Sequence, residues 1–88
     1  MVLYRRNLVP GGTYFFTVTL ADRGSDLLVR NIESLREAFR IARRERPFRI
    51  DAIVVLPDHL HAVWTLPPDD EDYPGRWRRI KADFSQRA

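Results

Sequence analysis

The stretch from Phe48 to Leu66 constrains the fold most, because two strand-like runs meet there across a very short break. Phe48 to Leu56 puts Ile50, Ala52 and Val54 on one face and Ile53 and Val55 on the other. Apolar content on both faces is the mark of a strand covered on both sides. His59 to Leu66 puts Leu60, Ala62, Trp64 and Leu66 on one face and His59, His61, Val63 and Thr65 on the other. Only Pro57-Asp58 separates the runs, which leaves no room for a crossover and predicts an antiparallel hairpin. Both histidines of the protein then sit two residues apart on one strand face.

The rest of the chain fits around this hairpin. Met1 to Asn7 is a short arm carrying Tyr4, Arg5 and Arg6, and Pro10-Gly11-Gly12 reads as a turn. Thr13 to Leu20 alternates Tyr14, Phe16, Val18 and Leu20 with Phe15, Thr17 and Thr19, which predicts a strand. Asp22 to Asp26, with Gly24 and Ser25, reads as a loop. From Asn31 to Arg46 the period becomes helical, with Ile32, Leu35, Ala38, Phe39 and Ala42 on one stripe. The other side mixes Arg36, Arg40, Arg43 and Arg44 with Glu33, Glu37 and Glu45, a pattern of solvated charge. Pro47 ends this helix. After the acidic connection Pro67 to Asp72, Pro74 suits a first helical turn, and Trp77, Ile80 and Phe84 form the stripe of a second helix.

The order is strand, helix, strand, strand, helix. It predicts an α+β fold of ferredoxin-like, split βαβ type (β-α-β-β-α), an antiparallel sheet with helices on one face and its last strand missing. No repeat or boundary divides residues 1–88, so a single domain is expected. With 88 residues, 44% of them hydrophobic, the chain supports one small core with little stability to spare.

Composition narrows the partners. The absence of cysteine excludes a disulfide framework and a thiolate metal site and suits a reducing compartment. No apolar run approaches the ~20 residues that span a bilayer, and the N-terminus lacks a signal-peptide core. A cytoplasmic protein without a membrane partner is expected. The net charge is +3, and every one of the 15 cations except Lys81 is Arg. The guanidinium fork pairs bidentately with phosphate and stacks on bases, although an Arg-favouring codon usage produces the same composition. Two clusters are candidates for DNA phosphates: Arg5 and Arg6 in the arm, and Arg76, Arg78, Arg79 and Lys81 on the last helix. Tyr4 is the aromatic best placed to stack on a base. For each cluster the plain alternative is a solvated surface.

Two neutral imidazoles facing one way can hold a divalent ion. A firm site wants a third protein ligand. Asp58 is close in sequence but sits at the turn and points away in an ideal strand. Asp69, Asp70, Glu71 and Asp72 reach the pair only if their loop folds back. A His-x-His on a strand also arises by chance, with both rings hydrogen-bonded to water.

Here the residues carry a resemblance. Val54-Val55-Leu56-Pro57-Asp58-His59-Leu60-His61-Ala62-Val63-Trp64 resembles the His-hydrophobe-His segment of single-tyrosine (Y1) transposases of the HUH superfamily, and is most similar to the REP-associated tyrosine transposases. Gly11 to Thr19 resembles that family's opening strand, Pro47 to Ala52 its lead into the histidine hairpin, and Arg76 to Lys81 with Phe84-Ser85 its following helix. The resemblance implies a ferredoxin-like nuclease domain that recognises single-stranded or hairpin DNA. It implies that His59 and His61 are catalytic and hold Mg²⁺ or Mn²⁺ against the scissile phosphate, while a tyrosine attacks to leave a 5′-phosphotyrosyl intermediate.

The family's tyrosine and third metal-binding side chain lie on a helix beyond the last residue of this sequence, so a truncated domain is expected. None of the tyrosines present takes the nucleophile's place: Tyr14 reads as core, Tyr73 as packing before the Pro74 helix, Tyr4 as a DNA contact. The expectation is a DNA-binding chain with half a metal site that does not complete cleavage alone. The alternatives are a non-catalytic nucleic-acid-binding or regulatory dimeric module on the same fold, including a repressor of a full-length transposase, and an assembly domain with incidental histidines. The missing strand leaves a sheet edge, and Ile50, Ala52, Val54 and Val63 lack cover. Self-association, as a homodimer, is therefore expected.

Overall fold

The hairpin forms as the sequence requires. The computed structural model describes residues 2–3 and 9–88. In it β3 (Arg49–Val55) and β4 (His59–Thr65) pair antiparallel, with Val55 opposite Leu60 and Ile50 opposite Trp64. β4 pairs along its other side with β2 (Thr13–Thr19), in a register that sets Phe16 against Ala62 and Thr17 against His61. β1 (Val2–Leu3) pairs with the end of β2, giving the order β1-β2-β4-β3 with every neighbour antiparallel. This is the ferredoxin-like arrangement with one difference from expectation. The edge beside β2, expected to be open, is occupied by β1 from the N-terminal arm.

β3 corrects a second expectation. Its register shifts between Ile50 and Ala52, so Asp51 is an extra residue in a β-bulge. Strict alternation places Ile50 with Ala52 and Val54. The bulge instead turns Ile50 to the helix side with Ile53 and Val55, opposite Trp64, Ala62 and Leu60, and leaves Ala52 and Val54 beside Val63 and His61. Apolar residues still occur on both faces, and Val54 on the open one is 56% exposed, so the two-sided pattern does not mean that both faces are covered.

The helices lie on one side. α1 (Leu27–Arg30) is a single turn that the sequence did not announce, since adjacent apolar residues show no period over four positions. Its Leu28 is fully buried. α2 (Ile32–Glu45) presents Leu35, Ala38, Phe39 and Ala42 to the sheet. α3 (Tyr73–Arg87) begins at Asp72, whose side chain accepts the Gly75 N–H at 2.9 Å, with Pro74 in the first turn. Its Tyr73, Trp77, Ile80 and Phe84 close on Tyr14, Phe16, Val18, Leu60, Ala62 and Trp64. Trp77 stacks on Trp64 at 4.5 Å between ring centroids, and Phe16 meets both indoles edge-on. The apolar core is therefore a single layer between sheet and helices. The opposite face of the sheet is left to His59, His61, Thr17, Phe15, Ala52, Val54 and Val63.

Candidate metal and nucleic-acid site

His59 and His61 stand on the uncovered face, where neither has to serve the core. Their ring centroids are 5.1 Å apart and the planes are crossed at 84°, close enough for one ion to reach both. Each ring is held by its Nδ1. His59 Nδ1 lies 2.8 Å from Asp58 Oδ1, and the other oxygen of Asp58 accepts the Arg23 Nε–H at 2.9 Å. His61 Nδ1 lies 3.1 Å from Thr17 Oγ1, on the residue directly opposite in the β2–β4 register. Asp58 therefore does not point away, as the ideal strand suggested. It is turned onto His59, and its carboxylate is engaged by that ring and by Arg23. The His59 hydrogen bond, and after it the Arg23 hydrogen bond, hold the Asp58 carboxyl below the usual carboxylate range.

The acidic loop does not fold back to the histidines. Asp70 pairs with Arg76 at 2.9 Å, and that hydrogen bond is the main cause of its carboxyl falling to about 2. Asp72 caps α3 and pairs with Arg46 at 2.6 Å. Among the described residues, no group of three His, Cys, Asp or Glu is arranged to hold a metal. The two imidazoles fit a divalent ion as a partial donor set, with further positions for other groups.

The same face has a second polar end. At the bulge, Asp51 accepts from Thr65 Oγ1 at 2.6 Å and from Arg49 Nε at 2.6 Å, while Thr65 also meets Thr13 at 2.9 Å. The Thr65 hydroxyl is the first cause of the lowered Asp51 carboxyl. Between the two ends lie Phe15, 53% exposed and stacked on the His61 ring at 5.9 Å, and Val54, 56% exposed.

The structure divides the predicted basic cluster. Arg76 is 2% exposed and is no phosphate contact. Its Nε donates to the Arg46 carbonyl, Nη1 to Asp70 and the Asp72 carbonyl, and Nη2 to Asp70 and the Pro47 carbonyl. That accounts for all five guanidinium donors. Arg79 forks onto Glu45 at 3.0 and 3.2 Å. Lys81 is half-buried, which lowers its ammonium pKa. Arg78 is exposed. Arg78, Arg79 and Lys81 belong to the helical layer, so the sheet separates them from the histidines. Tyr4, Arg5 and Arg6 lie outside the described residues. Tyr14 is core: its hydroxyl donates to the Val9 carbonyl and accepts the Val9 N–H at 2.6 Å. Tyr73 is fully buried. Sequence reasoning missed Thr17 and Arg23. Thr17 was legible in principle, as a polar residue on the strand that had to face the histidine strand, whereas Arg23 reaches Asp58 from a loop 35 residues away.

No family model matches the chain. It is similar to the REP-associated tyrosine transposase of Escherichia coli (strain K12), 51% identical over 82 residues, which cover 93% of this chain and 50% of that protein. A putative REP-associated tyrosine transposase of Haemophilus influenzae is 39% identical over 83 residues, covering 94% of this chain and 47% of its own. Among solved structures, a REP-associated tyrosine transposase bound to a REP hairpin superposes with a TM-score of 0.91 at 49% identity, covering 99% of this chain and 53% of that one. The chain thus spans about half the length of the curated relatives it matches.

Proposed function

We propose, on the premise that this chain belongs with the REP-associated tyrosine transposases over about half their length, that it binds REP-type hairpin DNA and contributes two metal ligands to DNA cleavage and rejoining. The observation that carries the reading is the likeness, at 49% identity and a TM-score of 0.91, to a transposase holding such a hairpin. His59 and His61 would hold Mg²⁺ or Mn²⁺ through the ring nitrogens that Asp58 and Thr17 leave unengaged. When bound, the ion supplies Lewis-acid polarisation of a phosphoryl oxygen. Thr17 and Asp58 keep the rings facing out, and Phe15, beside His61, walls the site with an apolar surface.

The DNA phosphates are held by Arg78, Arg79, Lys81, Arg5 and Arg6, with Tyr4 stacking on a base. Because Arg78, Arg79 and Lys81 lie across the sheet from the histidines, they anchor the stem of a hairpin and not the bond to be cut. Tyr14 and Tyr73 are buried in the core on the far side of the sheet from the histidines and are not nucleophiles. With Tyr4 assigned to base stacking, none of the tyrosines of this sequence serves as the nucleophile of a phosphotyrosyl intermediate, and no covalent adduct is expected. Phe15 and Val54 on the open face and the outer edge of β3 also favour self-association.

Fluorescence anisotropy with a labelled REP-type hairpin tests the reading. Binding is expected to weaken with salt at a log–log slope of about −3 to −5, as for a few neutralised phosphates. A flat dependence overturns the DNA assignment. Calorimetric titration with Mn²⁺ is expected to show binding that His61→Ala abolishes, and binding unchanged in that variant removes the metal. A denaturing gel after incubation with hairpin and Mn²⁺ is expected to show no adduct. Sedimentation as a monodisperse monomer at high concentration overturns self-association.

A further inference from the structure

We infer that Asp58, held in place by Arg23, is a positioning residue that fixes His59 in the one neutral form able to bind metal through its outward nitrogen. Thr17 gives His61 a looser version of the same support. The inference rests on the metal reading proposed above and concerns how the two ligands are prepared.

A carboxylate can only accept hydrogen bonds. With Asp58 Oδ1 at 2.8 Å, the proton of a neutral His59 ring must sit on Nδ1, which leaves Nε2 with its lone pair free. Such carboxylate–histidine pairs set ring tautomer, orientation and basicity at metal sites. The carboxylate itself is not free to swing. Arg23 Nε holds its second oxygen at 2.9 Å, and the Asp58 side chain is only 14% exposed. The turn that carries it is tied down from three sides. The Leu20 N–H donates to the Asp58 carbonyl at 2.8 Å, the Leu28 N–H to the Pro57 carbonyl at 3.1 Å, and the Leu56 N–H to the His59 carbonyl at 2.8 Å. The single turn of α1 thus acquires a purpose, for Leu28 anchors the turn that aims Asp58.

Thr17 differs in kind. Its hydroxyl lies 3.1 Å from His61 Nδ1, and a hydroxyl both donates and accepts. It tolerates either tautomer of His61, so the two ligands are prepared unequally: His59 is locked and His61 adapts.

Two measurements on the ¹⁵N-labelled chain test this. Ring ¹⁵N correlations without metal, at about pH 8 where imidazole is neutral, are expected to show His59 as the Nδ1–H form in the unaltered protein. Asp58→Ala should revert it to the Nε2–H form. Titration with Mn²⁺, followed by paramagnetic broadening of the ring protons, is expected to show affinity falling about 10–100-fold in Asp58→Ala. Asp58→Asn, which keeps a neutral acceptor, and Thr17→Val should each lose less. Asp58→Asn also serves should Asp58→Ala fail to fold. An Nε2–H form of His59 in the unaltered chain, or equal broadening in the unaltered and Asp58 variants, overturns the inference and leaves the metal reading standing. If Mn²⁺ leaves both rings of the unaltered chain sharp, the metal reading falls and takes this inference with it.

Discussion

The two faces of the sheet are built from the same strands and obey different rules. On the helix face, Tyr14, Phe16 and Val18 are less than 5% exposed, and the rings of Tyr14, Phe16, Phe39, Phe48, Trp64, Tyr73 and Trp77 each meet another. Packing there is tight enough to bury the indole N–H groups of both Trp64 and Trp77 without a hydrogen-bond partner. On the other face, Phe15 and Val54 are more than half exposed, and polar groups are paired at both ends. A one-layer core lets β2 and β4 divide their work by parity: alternate residues hold the fold together, and those between are free of packing demands and available for chemistry.

This division is broken most directly on the helix side. Trp64→Ala is expected to cost about 3–5 kcal/mol, the usual loss for a large buried aromatic, read as a lower urea midpoint. A loss below 1 kcal/mol would mean that the core does not depend on the stacked indoles. Arg76 comes next. Arg76→Met leaves Asp70 with only the Asp72 N–H and takes the guanidinium from the carbonyls of Arg46, Pro47 and Asp72, and should cost about 3 kcal/mol, the low end for a broken buried pair, while hairpin affinity per folded molecule stays the same. Lost affinity at unchanged stability would return Arg76 to the DNA surface.

The same pair makes an acid arm. The folded carboxyl of Asp70 is depressed to about 2, against about 3.9 in an unfolded chain. Its contribution is therefore complete above about pH 4 and fades as the pH falls towards 2. Urea titrations from pH 5 to 2 should show this loss, and Asp70→Asn should flatten it. The smallest effect belongs to the open face. Phe15→Ser and Val54→Ser should each change stability by no more than about 0.5 kcal/mol, and a larger loss would show that this face carries part of the core.

The elements were legible because their periods are clean. The alternation of Tyr14, Phe16 and Val18, the helical stripe from Leu35 to Ala42, and the spacing of Trp77, Ile80 and Phe84 each announced a buried side that the structure confirms. The histidine pair was placed on the face away from Leu60 and Trp64 for the same reason. What escaped was anything decided by a single residue or a distant partner. The bulge at Asp51 moves Ile50 across the sheet with no composition signal, and β1 is two residues long. Arg76 looked like its basic neighbours, since a charged residue is buried only when acceptors surround it. Most of its acceptors are backbone carbonyls, from the end of α2 and the Pro47 turn as well as its own helix. Asp58 was misjudged because an ideal strand sets side-chain direction by parity, whereas a turn residue takes its direction from its hydrogen bonds.

The stacked indoles give the chain an optical gauge of its own closure. It has two tryptophans, and they touch. Coupled transitions of rings in such contact produce a paired near-ultraviolet dichroism signal that vanishes once they separate, and emission shifts to the red when water reaches them. Because one indole rides on β4 and the other on α3, this light reports whether the last helix is seated on the sheet. Events confined to the histidine face should leave it dark, so a spectral change on adding DNA would indicate that the helix, and not only the open face, has moved.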